Sequence, residues 1–496
     1  MRPLKIALYI WSVIVLLGVV CWFVPADGWK LWDCTLRFPT LSEALDMESA
    51  VAESSDSLDF FALPDTLLLD DSLIIQQPDS LVPALLDSLA PDSFNLSKQS
   101  EQSGVVSEPL IVNNEKSSSL EPLSCEHSDS IVVNHGSPLS AFFLALDSVA
   151  SMPVRVVHYG DSQIEEDRIT DILREQWQKK YGGGGAGLLP LHQTIPTRTL
   201  RQWISINGKV QTAQGGPKRY LVYGPRSMRL DTTLYGVMGQ VAMMDSTKVK
   251  GSEDIVMNIE PINKKHKPHN YFNRLRVLTD SVSGYVIAQD TTLYFTDSTP
   301  IIIPDSTTKC EIHLHGKGNV YGISLETATG VIVDNIPMRG CSGNIFTKMD
   351  SAQLSQFYRE TNTRLIILQF GGNMIPQTEN PSTISGYVRT TLRQQVRYLK
   401  ACAPQASILF IGPSDMSTNI DGKMTTYPLV PYMDKQLKKM ADEEQIAYWS
   451  IYNAMGGYNS MVTWVEKGLA GSDYVHFTRA GANNIGKKLY NWIEER

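Results

Sequence analysis

The sequence predicts an α/β domain on a parallel sheet, interrupted by an inserted β-sandwich and preceded by an N-terminal transmembrane helix. Three observations lead there. Val154–Tyr159 is apolar and β-rich, stops at Gly160, and is followed by Ile164, Ile169, Ile172, Leu173 and Trp177 at helical spacing. Two continuous apolar runs, Arg364–Phe370 and Ser407–Ile411, alternate with helix-like segments around Ile384–Ala401 and Pro431–Glu444, as parallel strands buried on both faces do. Between about Leu200 and Val333 the pattern changes to short alternating runs punctuated by Gly, Asp, Ser and Pro, which favours antiparallel strands and turns.

At the amino end, Ile6–Val24 is apolar over the length needed to cross a bilayer, and Arg2 and Lys5 precede it. That arrangement predicts a single-pass anchor in the cell membrane, with the rest of the chain in the periplasm or otherwise outside the cytoplasm. No small-residue cleavage pattern closes the segment, and Val20 precedes Cys21 where a lipidation site wants a small residue, so a retained anchor over 1–25 is expected. Residues 26–137 are rich in Ser, Asp, Leu and Pro. Pro and the Asp/Ser pairs, which bond their own backbone, oppose any long helix there, so this stretch reads as an acidic, extended linker. The folded part then divides into a catalytic domain over 138–199 and 334–496 and a sandwich over 200–333. A module inserts into a rim loop without disrupting its host when the module's own ends lie close together.

Composition sets limits on function. The apolar fraction of 42 % supports a full core, while a net charge of -8 and the lack of any Lys/Arg-rich block argue against a nucleic-acid partner. The six cysteines are scattered without a CxxC pair or a Cys/His cluster, so neither a disulfide framework nor a structural zinc is expected, and no cofactor or metal is called for. Cys341 has no sequence-local activator and reads as structural. His313 and His315 share one face of a strand but have no third ligand, and read as solvent-facing.

Chemistry concentrates at strand ends. Gly160-Asp161-Ser162 sits where the first strand gives way to a helix, at the carboxyl edge of the sheet where open α/β folds bind ligands. The bland reading is a helix cap, for which Asp161 and Ser162 are both suited. Asp473-Tyr474-Val475-His476 precedes a helix carrying Ile485, Leu489 and Trp492. A serine needs a base to take its proton, and the base needs an acid to fix its tautomer; Asp and His three apart on one loop supply both. An ester's tetrahedral intermediate also needs fixed donors for its oxyanion. Gly340-Cys341-Ser342-Gly343-Asn344 follows the apolar run Val331–Val333, and Gly371-Gly372-Asn373 follows Arg364–Phe370, so backbone N–H groups and the Asn373 amide are candidates. Each motif alone is ordinary turn chemistry.

Taken together, Ser after the first strand, Gly after the second, Gly-x-Asn after the third and Asp-x-x-His before the last helix resemble the four blocks of the SGNH, or GDSL-type, hydrolases. The resemblance covers about 138–200 and 322–496 and implies a three-layer α/β/α fold. It also implies a catalytic triad of Ser162, Asp473 and His476, with an oxyanion hole formed by Ser162, Gly343 and Asn373. The segments Tyr321–Glu326, Val333–Asn335, Gly412–Met416, Ala454–Gly457 and Val475–Thr478 are similar to bacterial peptidoglycan O-acetylesterases, which carry a carbohydrate-binding-like sandwich between the first two blocks. An acetylated glycan, with peptidoglycan N-acetylmuramic acid first among the choices, is the partner this implies. Gln163 departs from the pattern, since His often follows the serine. The competing readings are an esterase or O-acyltransferase acting on another acetylated polysaccharide, and an inactive wall-binding scaffold, which would need none of this chemistry.

Overall fold

A computed structural model describes residues 29–31, 34–36, 136–211, 216–244, 255–263 and 267–496. The chain forms two units, Met1–Ile74 and Ile75–Arg496. In the first, the described residues are two short strands, Trp29–Leu31 and Cys34–Leu36, paired antiparallel. The segment read as an anchor, Ile6–Val24, and most of the acidic linker lie outside the described residues. Among the described residues no helix is long and apolar enough to cross a membrane.

The second unit is built on five parallel strands: β1 (Val154–Gly160), β2 (Val331–Pro337), β3 (Thr363–Gln369), β4 (Ser407–Gly412) and β5 (Ala447–Ser450). Their order in the sheet is β2-β1-β3-β4-β5, so the direction of winding reverses beside β1. Alternate side chains feed two separate cores. Val157, Tyr159, Ile366, Leu368 and Phe410 face one side, against Leu354, Val396, Leu399, Met433 and Leu437 of the helices Ser351–Glu360, Arg393–Cys402 and Val430–Glu443. Val154, Val156, Leu365, Ile367 and Leu409 face the other, against Leu173, Trp177, Ile485 and Leu489 of the helices Thr170–Tyr181 and Arg479–Glu494. Helices on both faces of a doubly buried parallel sheet are the expected three-layer α/β arrangement. On the last helix Ile493 joins the core, while Trp492 is half-buried and carries Arg496 over its ring.

Two further sheets, each six-stranded and antiparallel where paired, close over a third core that includes Ile204, Met257, Leu275, Val286, Ile312 and Ile323. This β-sandwich lies between β1 and β2 in the chain. Its strands extend past the limits read from sequence: Gly187–Leu189 pairs with Gly318–Glu326, whereas Val331–Pro337 pairs with β1 and belongs to the parallel sheet. Gly187–Leu189 is too short for a periodic signal, and the glycine tract before it hid its role. That tract passes close to other backbone; a Cβ on Gly185 would lie 2.1 Å from the Leu325 carbonyl oxygen.

A second departure follows Ser162. Instead of one helix from Ile164, residues Ser162–Asp167 form a kinked 3-10 turn, and the α-helix begins at Thr170. Glu166 and Asp167 both have left-handed backbones (φ 59° and 67°), which no continuous right-handed helix accommodates.

One buried cation joins sandwich and sheet. Arg155 on β1 donates twice to Asp334 on β2, at 2.7 and 2.8 Å, and once to Ser324 at 3.1 Å, and it also pairs with Glu326; Ser324 and Glu326 belong to the last sandwich strand. Asp334 in turn accepts the Leu188 N–H at 2.9 Å. Removing one member of such a buried cluster leaves its partners uncompensated, typically at about 3–5 kcal/mol. Arg155→Met should therefore lower the denaturation midpoint markedly, read by fluorescence in urea; a midpoint equal to the parent's would show that the cluster does not hold the two modules.

Candidate functional site

Strand register brings the candidate motifs to one level. Gly160 of β1 stands opposite Pro337 of β2 on one side and Gln369 of β3 on the other, so the three following loops leave the sheet from one rim. The loop after β1 carries Ser162, that after β2 carries Gly340–Asn344, and that after β3 carries Asn373. Asp473 and His476 arrive from the turn that precedes the last helix.

That turn is shaped by Asp473 itself. Its Oδ1 accepts the Val475 and His476 N–H groups, each at 3.0 Å, while Tyr474 takes a left-handed backbone between them. Gly471 N–H closes the loop on the His476 carbonyl at 2.8 Å. The remaining carboxylate oxygen, Oδ2, lies 2.6 Å from His476 Nδ1, and His476 Nε2 lies 2.8 Å from Ser162 Oγ. Burial alone would push the Asp473 carboxyl up, but the hydrogen bonds from the His476 ring and the two N–H groups outweigh it and hold it at about 2. An ionised Asp473 keeps the proton on Nδ1, which leaves Nε2 free to accept from the Ser162 hydroxyl. The structure thus brings Ser162, His476 and Asp473 into one hydrogen-bonded line.

Asn373 stands between the first two loops. Its amide nitrogen is 3.1 Å from the Cys341 carbonyl and 3.3 Å from Asp161 Oδ2. Gly343 packs on Phe370 with φ 94°, and a Cβ there would meet Phe370 at 2.9 Å, so only glycine fits without strain. Its N–H donates to Cys341 Sγ at 3.3 Å, a weak acceptor from which a stronger one can take it. Burial pushes the Cys341 thiol up to about 12, so this cysteine is no nucleophile at neutral pH. Among the described residues Cys310, Cys341 and Cys402 are all buried free thiols.

Several supporting residues escape sequence reasoning. Gln163 donates to the Val475 carbonyl at 2.6 Å and to Ser414 Oγ at 3.1 Å, tying the Ser162 turn to the His476 turn. Asn335 on β2 donates to the Ile164 carbonyl at 3.0 Å and accepts from Thr170 at 2.7 Å, and His158 Nδ1 meets the same Thr170 oxygen at 2.9 Å. Arg339 grips Glu165 through two hydrogen bonds, at 2.9 and 2.6 Å. Polar His158 and Asn335 within buried strands, and Gln163 where His often follows the serine, were the available signals.

This geometry suits a serine hydrolase on an α/β scaffold. Residues 305–483 match the GDSL-like lipase/acylhydrolase family, a span that takes in the later blocks but not Ser162, which the insertion separates from them. The chain carries an SGNH-type, GDSL-like acylhydrolase domain and is a carboxylic ester hydrolase. No curated protein gives a significant match. Among solved structures, a peptidoglycan O-acetylesterase aligns with TM-score 0.55 and 20 % identity over 72 % of this chain and 95 % of its own, a likeness of fold. A Bacillus subtilis protein aligns with TM-score 0.28 and 12 % identity over 68 % and 97 %. An acetyl xylan esterase gives 0.24 and 11 % over 33 % and 81 %.

Two outcomes are expected. Gln163→Ala should keep its melting temperature yet lower kcat about tenfold or more, since small misplacements of a catalytic pair are costly; an unchanged kcat would remove Gln163 from any positioning role. Burial raises the Asp161 carboxyl to about 6, against an ordinary value of 3.8. The folded state therefore holds a proton that the unfolded chain has released, so stability falls as pH rises from about 4 through 6, opposite in sign to the contribution of Asp473. Asp161→Asn should flatten that decline in melting temperature measured against pH, and curves of equal slope would refute the assignment.

Proposed function

We propose that this protein removes O-acetyl groups from a cell-wall glycan, with the C6 acetyl of peptidoglycan N-acetylmuramic acid as substrate, through an acetyl-serine intermediate. The observation that carries the reading is the Ser162–His476–Asp473 line with the Asn373 amide beside it. In the forward step His476 Nε2 takes the Ser162 proton as Oγ bonds to the acetyl carbonyl carbon. Negative charge then gathers on the carbonyl oxygen, where the Ser162 and Gly343 N–H groups and the Asn373 amide receive it; Gly343 gives up its weak contact with sulfur to do so. The carbon–oxygen bond to the sugar breaks and the sugar oxygen leaves with the proton from His476. Water repeats the sequence on the acyl-serine, releasing acetate and restoring the hydroxyl.

The glycan reading is supported by a fold likeness to a peptidoglycan O-acetylesterase that extends over 72 % of the chain. The outer face of one sandwich sheet adds to it. There Tyr285 pairs in register with Tyr294 on one side and His313 on the other; Tyr294 is 77 % exposed, whereas His313, read from sequence as solvent-facing, is buried with its ring stacked on Tyr285 at 4.3 Å. The exposed Tyr294 ring offers an apolar face with a polar edge, suited to the face of a sugar ring. A retained N-terminal anchor, as the sequence suggests, would hold the enzyme outside the cytoplasm, on the side of its wall substrate.

Purified protein should release acetate from O-acetylated peptidoglycan faster than from acetylated xylan, and a fluorophosphonate probe should label Ser162. Asn373→Ala should fold and lose roughly a hundredfold in turnover, the loss of about 3 kcal/mol of oxyanion stabilisation. Acetate release from xylan alone would sink the wall assignment, and a parental rate in Asn373→Ala would sink the oxyanion assignment.

A further inference from the structure

A cavity of about 330 Å³ opens where the helix Thr170–Tyr181, the last helix and the sandwich meet. Five cations line it: Arg168, Arg198, Lys267, Arg479 and Lys487. The acids facing them are Asp171 and Glu175. Glu175 is already engaged by Lys179 at 2.5 Å and Lys267 at 2.9 Å, and burial, with Asp167 nearby, pushes Asp171 up to about 6. From outside the lining, Glu166 takes Arg168 at 3.3 Å and Arg198 at 3.1 Å. That leaves Arg479 and Lys487 with no ion pair among the described residues. Both lie on one side of the last helix, eight residues apart with Asn483 midway, so they point the same way.

The guanidinium groups are close enough to work against one another. Burial lowers the Arg198 pKa, and although Glu166 opposes this, Arg168 and Arg479 lower it further. One Arg198 terminal nitrogen, Nη1, is buried without a hydrogen-bond partner. A buried donor left unmade and like charges held together are both unfavourable, and a bound oxyanion relieves both at once. The guanidinium fork suits two-pronged contact with carboxylate or phosphate.

The cavity also adjoins the catalytic turn. Arg168 donates to the Phe477 carbonyl at 3.4 Å, and Arg479 begins the helix directly after the His476-Phe477-Thr478 segment. We propose that this cavity is an anion subsite that holds a carboxylate or phosphate group of the substrate polymer while a neighbouring acetyl ester occupies Ser162. That the anion belongs to an acetylated glycan rests on the function proposed above; that the cavity binds an oxyanion does not.

The test uses the folded protein, an Arg479→Gln/Lys487→Gln double variant and a Lys267→Gln variant, each titrated calorimetrically with inorganic phosphate and separately with succinate. The parent should bind at least one of the two, and the arm that binds more tightly names the anion's source. Both variants should bind it about tenfold or more weakly, as expected for the loss of charge-assisted hydrogen bonds. With a neutral acetyl ester the variants should hydrolyse at the parental rate. With an acetylated glycan bearing free carboxylates or phosphates the variants' KM should rise about tenfold, and with its neutralised counterpart it should not. If the double variant melts early, Lys267→Gln alone decides. Failure of the parent to bind either anion, or equal binding by the variants, overturns the subsite. Anion binding with no hydrolysis of any glycan would leave the subsite standing and defeat the proposed substrate.

Discussion

Everything at the candidate site depends on where three neighbouring strands stop. Because Gly160 is level with both Pro337 and Gln369, the turns that follow carry a hydroxyl, a run of backbone N–H groups and a side-chain amide to one height above the sheet. Register of this kind is set by burial. Every residue of Val154–Gly160 is buried and its side chains feed two different cores, so a slip of one residue would exchange the two sets and move Ser162 off the rim. A hydrogen-bonded line with contacts of 2.8 and 2.6 Å tolerates no such slip.

Level strand ends bring loops together without fixing them. The fixing is done by side chains that each join two loops: Gln163 to Val475, Asn373 to Cys341, Asn335 to Ile164 and Arg339 to Glu165. The turn they hold needs such support, because Glu166 and Asp167 sit in a backbone region that ordinary residues avoid at a cost of order 1–3 kcal/mol each. Asp167 is secured through Arg174, which also donates to the Val333 carbonyl on β2, and through Thr199 at 3.1 Å. The strain beside Ser162 is thus borne by contacts reaching into the sheet and towards the sandwich.

How much of this was legible in the sequence follows from the range over which each feature is determined. Doubly buried strands announce themselves as apolar runs, because burial on both faces leaves nothing for polar residues to do, and β3 and β4 were read within a residue or two. Ser162 and Asn373 were legible as candidates because each follows the end of such a strand, and Asp473 and His476 because they stand three apart on the turn before the last helix. The kink after Ile164 was not, since left-handed backbone at Glu166 and Asp167 comes from tertiary partners such as Arg174 and not from local preference. Gln163 was visible only as a departure from a pattern; its reach to Val475 depends on a loop far along the chain. The sandwich was recognisable as a change in periodicity, but Gly187–Leu189 was hidden by its brevity.

The position of the insertion has a physical consequence for the site. A sandwich leaving the chain after the nucleophile's helix and rejoining it at β2 must be fastened at the sheet's opposite, amino-terminal end, and Arg155, Asp334 and Glu326 provide that buried fastening. Through Arg198 and Thr199, which hold Glu166 and Asp167, its lead-in segment also touches the turn carrying Ser162. The module is therefore coupled to the nucleophile at two points, one at each end of β1. A surface binding module on a loose loop would need neither contact. Their presence ties the sandwich both to the sheet and to the strained turn next to Ser162.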